Sequence, residues 1–363
     1  MIYLDNAATT PMPLAVSETL YNIYIQWGYD LGNAGGVYKN AKNSAFFLEK
    51  LRNEFREIFN IPENYIILFT SGASESNSTV FASHDGPLFC SNFEHPSVNS
   101  YPEMKAIDLA LIEETLAECA SKGQQPLLSV IYIQHETGII MNIPKMREIT
   151  RKYNARLHID ASQAKELDIK TLDADYITIS SHKIGGPIGV GALISKTLLN
   201  PLIFGGAQEF NMRAGTQPLP LIGGFVEAAK YMKKHNFFKE HFMKLKSILK
   251  NEIDSKFFLE TFVIEEMKFV DNVICMLSAQ IPASEVAAFM DMNDIAISLG
   301  SACKSGSLDG IVAIKSLLKE GVIDESINPV NAFRISFGWN TKEQDVEIFA
   351  KKFNAFIQKR IKI

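Results

Sequence analysis

The chain of 363 residues has only four cysteines, Cys90, Cys119, Cys275 and Cys303. None forms a Cys-x-x-Cys pair, and the nearest two, Cys275 and Cys303, are 28 positions apart. That scarcity excludes a disulfide framework, a zinc ribbon and an iron–sulfur ligand run, and no metal site is expected. A basic surplus is missing too: 36 Lys and Arg against 41 Asp and Glu leave a net charge of -5. This is the wrong balance for a protein that grips nucleic acid through phosphates, and no basic stripe interleaved with aromatics occurs. No apolar run approaches the roughly 18–20 residues of a bilayer span, so no membrane association is expected. Met1-Ile2-Tyr3-Leu4-Asp5-Asn6 carries neither the basic nor the apolar region of a signal peptide, and the expected compartment is the reducing cytoplasm. What remains is ordinary: 47% hydrophobic and 21% charged residues, enough for a large domain and a smaller one.

Short β-rich runs alternate with helical patterns through the first two-thirds. Strands are expected at Tyr65–Phe69, Pro87–Ser91, Leu127–Ile133, Arg156–Asp160, Asp175–Ser180 and Gly191–Ser195, and a helix at Ile143–Tyr153 with Pro144 in its first turn. Apolar strands alternating with helices specify a mostly parallel sheet covered by helices. Phe225–Ile253 reads as one long Lys-rich amphipathic helix leaving that layer. Beyond it, Asn272–Leu277, Ala283–Met292 and Arg334–Phe337 predict a smaller α+β unit.

Three stretches sit where strands end. Thr70-Ser71-Gly72-Ala73-Ser74-Glu75 joins a strand to a helix, so unpaired N–H groups, the helix dipole and hydroxyls converge on an anion site, most naturally for a phosphate; simple helix capping is the plainer alternative. No Walker A loop or Gly-x-Gly-x-x-Gly pattern accompanies it, which favours a small phosphorylated cofactor over a nucleotide. Asp160, in His158-Ile159-Asp160-Ala161-Ser162-Gln163, closes a strand and is placed either to hold a protonated ring nitrogen or merely to cap a helix. Lys183, in Ser180-Ser181-His182-Lys183, precedes Gly185-Gly186-Pro187 and is poised within a cleft, where a desolvated lysine forms a Schiff base with an aldehyde. Together the three describe a site for pyridoxal phosphate. Cys303 stands apart from the other thiols. It lies among small residues in Gly300-Ser301-Ala302-Cys303-Lys304-Ser305-Gly306-Ser307, beside a cation that favours its thiolate, and is either reactive or an inert loop thiol. Cys90 and Cys275 have apolar neighbours, and with Cys119 they are expected to be bystanders.

These pieces resemble the cysteine desulfurases of the class V aminotransferase superfamily. The likeness runs over LDNAATTP at 4–11, FTSGASESN at 69–77, EHPSV at 94–98, HETG at 135–138, HIDASQ at 158–163, SSHKIGGPIGVGAL at 180–193, RAGTQP at 213–218, GSAC at 300–303 and FRISFGWNT at 333–341. The resemblance implies the α/β architecture of fold-type I pyridoxal-phosphate enzymes: a large domain with a mostly parallel seven-stranded sheet over 15–245, and a small α+β domain from 1–14 and 246–363 carrying the Cys303 loop and Arg334. It makes Lys183 the Schiff-base lysine, Asp160 the partner of the pyridine nitrogen, His95 the stacking and proton-transferring group and Gln163 the ligand of the ring oxygen. Ala73, Ser74, Ser180 and His182 reach the phosphate, helped by Thr216 from the other subunit of a homodimer. Asn33, His135 and Arg334 fall to the substrate, Arg334 clamping its carboxylate with a planar fork. Cys303 becomes the nucleophile that takes sulfur from L-cysteine as a persulfide, leaving L-alanine, and passes it to an acceptor protein such as an iron–sulfur scaffold or a sulfur carrier.

The sequence departs from the family at three places. Asn33-Ala34-Gly35-Gly36-Val37-Tyr38 replaces an Asn-Pro-Ser-Ser-x-His segment, Gln134-His135-Glu136 replaces Asn-Asn-Glu, and Phe210 stands where an arginine is usual. All three concern the substrate side. They keep open another class V reaction, such as transamination or selenocysteine lysis; a degenerate homologue acting as a binding partner is the remaining alternative.

Overall fold

The computed structural model describes residues 1–165, 167–235, 238–263, 267–299 and 310–361. They form two compact units. One comprises Pro11–Tyr132 and Asn142–His235, the other Met1–Thr10, Ile133–Met141 and Asn236–Ile363.

The first unit is built on a seven-stranded sheet of β1 (Ile66–Thr70), β2 (Leu88–Ser91), β3 (Met104–Ile107), β4 (Leu127–Ile131), β5 (Arg156–Asp160), β6 (Tyr176–Ser180) and β7 (Gly191–Ser195), in the order β1-β7-β6-β5-β4-β2-β3. The β3-β2-β4-β5-β6 run is parallel throughout, whereas β7 is antiparallel to both β6 and β1. Strands β2, β4, β6 and β7 are buried at every position. That is why they read as continuous apolar runs rather than as alternating ones: helices cover both faces. The edge strand β3, Met-Lys-Ala-Ile, is only half-buried and left no such signature. Leu127–Ile133 was expected as one strand, but β4 stops at Ile131; Ile133 already belongs to the other unit, within which it bridges Ile140.

Helices α1 (Leu14–Gln26), α2 (Lys39–Ile58), α3 (Ala73–Ala82), α4 (Ile143–Lys152) and α5 (Leu219–Lys234) belong to this unit. The Asn142 side chain caps α4 by accepting the Lys145 N–H at 3.1 Å, with Pro144 in the first turn where no N–H is needed. Gly223 and Gly224 let α5 lie against α1: a Cβ at Gly223 would fall 2.2 Å from Ile23 Cδ1, and one at Gly224 2.9 Å from Leu20 Cγ. The continuous helix expected over Phe225–Ile253 is instead two. The first, α5, is stopped at His235, whose backbone leaves helical geometry (φ -96°, ψ 55°), with Lys233 and Lys234 favourably placed at the negative end of the dipole. The second, α6 (Phe238–Glu252), belongs to the other unit.

In that second unit β8 (Val273–Leu277) pairs antiparallel with β9 (Ala332–Ser336), Cys275 opposite Arg334. Helices α7 (Ala283–Asp291), α8 (Val312–Lys319) and α9 (Glu343–Ile361) accompany it. Phe333, Phe349 and Phe353 are fully buried, the Phe333 and Phe353 rings 5.8 Å apart. The Arg334–Phe337 strand thus begins two residues earlier than expected.

The core of the first unit is keyed by Phe55 on α2. It is fully buried, with ring centroids 4.7 Å from Phe59, 5.0 Å from Phe225 and 5.8 Å from Phe69. Phe55 therefore ties α2 to α5 and β1. Phe55→Ala is expected to cost about 3–5 kcal/mol, read as a lower urea midpoint with an unchanged m-value.

Candidate active site

The carboxyl ends of parallel strands converge their backbone dipoles and feed loops toward helix N-termini, which is where an open α/β sheet binds ligands. Here β1 ends at Thr70 and α3 starts at Ala73 after a turn at Gly72. Gly72 has φ +154°, and a Cβ built on it would meet nothing within 4 Å. The turn thus opens onto free space. A Cβ at Gly191, by contrast, would lie 2.8 Å from the Gly72 backbone, so β7 must begin with glycine to let the turn approach. No side chain caps α3 at Gly72. Glu75 instead accepts the Ser71 N–H at 2.7 Å and pairs with Arg213 at 2.9 Å, which leaves the first-turn N–H groups at Ala73 and the exposed Ser74 for an anion.

Asp160 ends β5 and is buried. Its Oδ1 accepts the Ser162 N–H and its Oδ2 the Asn77 amide, both at 3.0 Å. Asn77 also donates to Ser97 Oγ at 3.0 Å, and Ser97 Oγ lies 2.9 Å from His95 Nδ1. His95 Nδ1 accepts the Ser97 N–H as well, which in the neutral ring leaves the proton on Nε2. Burial pushes His95 below the ordinary histidine range; Asp160 opposes that shift and Lys183 adds to it. Asn77 and Ser97 were not singled out from the sequence. Their signal was position: Asn77 falls one helical turn beyond Ala73, on the same face, and Ser97 two residues beyond His95. Behind Asp160, the buried His158 is held between Ser129 Oγ (2.8 Å) and Thr178 Oγ1 (3.0 Å), and burial pushes it down to about 4.

Lys183 lies on the single turn His182–Ile184 directly after β6. Gly185 follows with φ +81°, and a Cβ at Gly186 would fall 2.2 Å from Ser181 Oγ; the chain must double back tightly to present the lysine. Burial, then the charges of Lys183 and Lys165, push His182 down to about 4. Ser180 and Gln163 are buried nearby in sequence, at the end of β6 and after β5. Asn33 and Thr216 are both exposed and meet each other, Asn33 Nδ2 to Thr216 Oγ1 at 3.5 Å, rather than joining the network of Asp160, Asn77, Ser97 and His95.

In the second unit Arg334 is buried on β9. Its Nη1 donates to the His135 carbonyl at 2.7 Å and its Nη2 to Asp5 at 2.6 Å. Gln134 Oε1 accepts the N–H groups of Glu136 and Thr137, each at 2.7 Å, closing a tight turn around His135. Cys303 lies outside the described residues. Cys90, Cys119 and Cys275 are buried and free, and burial raises all three thiols.

Phe210 sits in a run of left-handed residues, Glu209 (φ 46°), Phe210 (60°) and Asn211 (63°). Three consecutive non-glycine residues in this region cost energy. A buried pair holds them: Arg52 donates to both Glu209 oxygens (2.9 and 3.1 Å), and Glu209 takes the Phe69 N–H at 3.0 Å. The Arg52 guanidinium lies 5.0 Å from the centre of the Phe210 ring.

The family model for class-V aminotransferases matches residues 2–349. The chain belongs to the class-V aminotransferase family. It is 31% identical to the cysteine desulfurase IscS of Buchnera aphidicola subsp. Acyrthosiphon pisum (strain 5A), over 95% of this chain and 90% of that protein. It is 30% identical to the mitochondrial cysteine desulfurase of Candida albicans, over 97% of this chain and 76% of that protein. The X-ray structure of a NifS-like protein from Rickettsia africae ESF-5 superposes with a TM-score of 0.81 at 27% identity, over 99% of both chains. The fold is therefore that of the fold-type I enzymes, and class-V aminotransferases depend on pyridoxal phosphate. The residues present fit that group. An α3 N-terminus without a side-chain cap faces open space, where its free N–H groups can take a phosphate. Among the described residues no cluster of side chains suits a metal ion, and no helix is long and apolar enough to cross a membrane.

One buried acid beside the network titrates unusually. Glu94 accepts from Ser91 Oγ (2.6 Å) and the Ile131 N–H (2.7 Å), while its Oε2 is buried without a hydrogen-bond partner. Burial pushes it up to about 8, Asp160 adding to the rise. A carboxyl whose folded pKa exceeds its unfolded one contributes stability below the unfolded value, and that stability is lost as pH climbs through the folded value. Between about pH 4.5 and about pH 8 Glu94 should therefore make the fold less stable as pH rises. Glu94→Gln keeps the acceptor and removes the titration, so its urea midpoint should fall less than that of the unmodified protein across this window.

Proposed function

We propose that the protein is a pyridoxal-phosphate-dependent cysteine desulfurase that converts L-cysteine to L-alanine and carries the sulfur away as a persulfide on Cys303. The observation that carries this reading is that Lys183, Asp160 and the α3 N-terminus follow the carboxyl ends of β6, β5 and β1 in one sheet. The relatives named cysteine desulfurase, matched over nearly the whole chain, support it. The chemistry is assigned to the 15–245 domain, with Arg334 and Cys303 supplied from the 246–363 part.

Bound pyridoxal phosphate supplies an aldehyde for amine condensation and a ring that withdraws electrons from the substrate Cα. Lys183 would hold the cofactor through its amine, and that amine is the base that would take the Cα proton. Asp160, fixed by Asn77 and Ser162, holds the ring nitrogen proton. His95 stacks on the ring with its Nε2 proton available, and Gln163 donates to the ring oxygen. Ala73, Ser74, Ser180 and His182 hold the phosphate, joined by Thr216 from the second subunit of a homodimer. Arg334 takes the substrate carboxylate; its present partner, Asp5, is a carboxylate of the same kind. Asn33 and His135 complete the substrate contacts. The Cys303 thiolate attacks the substrate sulfur, the S–S bond forms as the Cβ–S bond breaks, and the sulfane sulfur remains on Cys303 for a scaffold or carrier protein that serves iron–sulfur assembly. We assign this to the cytoplasm, as the reducing compartment that keeps Cys303 a free thiol.

Incubation with L-cysteine followed by persulfide-selective labelling and peptide mapping should mark Cys303 and no other thiol. Cys303→Ala should lose alanine production, and a variant that still makes alanine at the normal rate sinks the mechanism. A substrate panel separates this from another class V reaction, because cysteine would be inert while a different amino acid reacted.

A further inference from the structure

Asp5, in the stretch LDNAATTP, has no role in the proposed chemistry, yet the chain around it is fastened to the end of β9. The Leu4 carbonyl accepts the Ser336 N–H at 2.7 Å, and Asp5 bridges Ser336 in parallel. The Asn6 amide donates to the Ser336 carbonyl at 3.1 Å, and the Ser336 hydroxyl accepts the Ala7 N–H at 2.8 Å. The Tyr3 hydroxyl donates to the Asp5 carbonyl itself at 3.0 Å. Bonds on both sides of Asp5 therefore fix where its carboxylate stands. That carboxylate touches Arg334 at a single point. Asp5 Oδ1 lies 2.6 Å from Nη2, and the His135 carbonyl takes Nη1 at 2.7 Å, while among the described residues Nε is buried without a hydrogen-bond partner. The Arg334 main chain is held as well, exchanging two hydrogen bonds with Ser298 at 2.7 and 3.0 Å. A buried guanidinium needs a counter-charge, and a buried N–H left unpaired costs stability. An arginine serving only structure is better satisfied by two parallel bonds to one carboxylate. Here the fork is aimed from two sides, and a donor is left over for a second carboxylate.

We infer that Asp5 is a positioning residue for Arg334: its carboxylate and the His135 carbonyl hold the guanidinium in place, and the substrate carboxylate is taken on the remaining Nε side. Because main-chain bonds fix Asp5, it stays on Nη2 when substrate binds rather than yielding its place. The inference rests on the proposed assignment of Arg334 to the substrate carboxylate, and it adds a group that acts through Arg334 rather than on the substrate.

Absorbance titration of the full-length protein loaded with pyridoxal phosphate tests it, using L-alanine and ethylamine, the same amine without the carboxylate. Asp5→Ala should weaken L-alanine by about tenfold, the worth of one charge-assisted hydrogen bond, and leave ethylamine unchanged. Asp5→Asn, which keeps an oxygen for Nη2, should bind L-alanine within about threefold of the unmodified protein. Unchanged L-alanine binding in Asp5→Ala overturns the inference. Tighter binding there overturns it too, since Asp5 would then compete for the guanidinium, and so does an equal loss for both amines, which marks a general disturbance of the fold. Should Asp5→Ala fail to fold, a crystal structure of the unmodified loaded protein with L-alanine decides. Asp5 on Nη2 with the ligand carboxylate on Nε is expected, and a ligand carboxylate in the place of Asp5 overturns the inference. Arg334→Leu tests the underlying assignment alone. Full L-alanine affinity in that variant removes the assignment and the inference with it, whereas weakened binding there beside an unaffected Asp5→Ala removes only the role of Asp5.

Discussion

A carboxylate that must stay buried and hydrogen-bonded organises the larger unit. Asp160 lies at the end of β5 with both oxygens satisfied, one by its own following turn and one by Asn77. An uncompensated charge there would cost far more than any single apolar contact returns. The donors must therefore be present, and they come from separate pieces of chain. Asn77 draws α3 toward β5, and through Ser97 it also fixes the ring of His95. The same constraint thus sets the relation of the helix N-terminus to the end of β5 and to the imidazole.

The charges around this carboxylate are arranged with opposite tendencies. His158 and His182 are held at about 4 by burial, while Glu94 is raised to about 8. Near neutral pH these neighbours are uncharged, and the field that shifts them comes from Asp160 at Glu94 and His158 and from Lys183 and Lys165 at His182. A dry surrounding strengthens that field because little water screens it. Environments that move titrating groups in opposite directions around one centre are what acid–base chemistry at neutral pH requires.

The run of three left-handed residues at 209–211 is held by another buried pair. Glu209, Phe210 and Asn211 occupy left-handed backbone only because Arg52 grips Glu209 from α2 while Phe69 donates to it from β1. The Phe210 ring lies within reach of the Arg52 guanidinium, a contact that favours an aromatic.

Much of this was legible in the sequence. The buried strands announced themselves as apolar runs, because a parallel sheet covered on both faces leaves no polar alternation, and the motifs at Thr70, Asp160 and Ser180 fall at strand ends, as their sequences suggested. The half-buried edge strand β3 and the break at His235 were not legible: a short mixed tetrapeptide has no period, and a charged amphipathic pattern continues across a helix stop. Residue types at strand ends carried the proposed chemistry on their own, since Lys183, Asp160 and the α3 N-terminus bring their properties with them. Which groups stabilise them was decided only by tertiary structure. Asn77 meets Asp160 across 83 positions, Arg52 meets Glu209 across 157, and Lys165 meets Lys183 across 18. Hydrogen bonds and charge coupling depend on distance in space, and no local pattern in a chain encodes a separation that only packing creates.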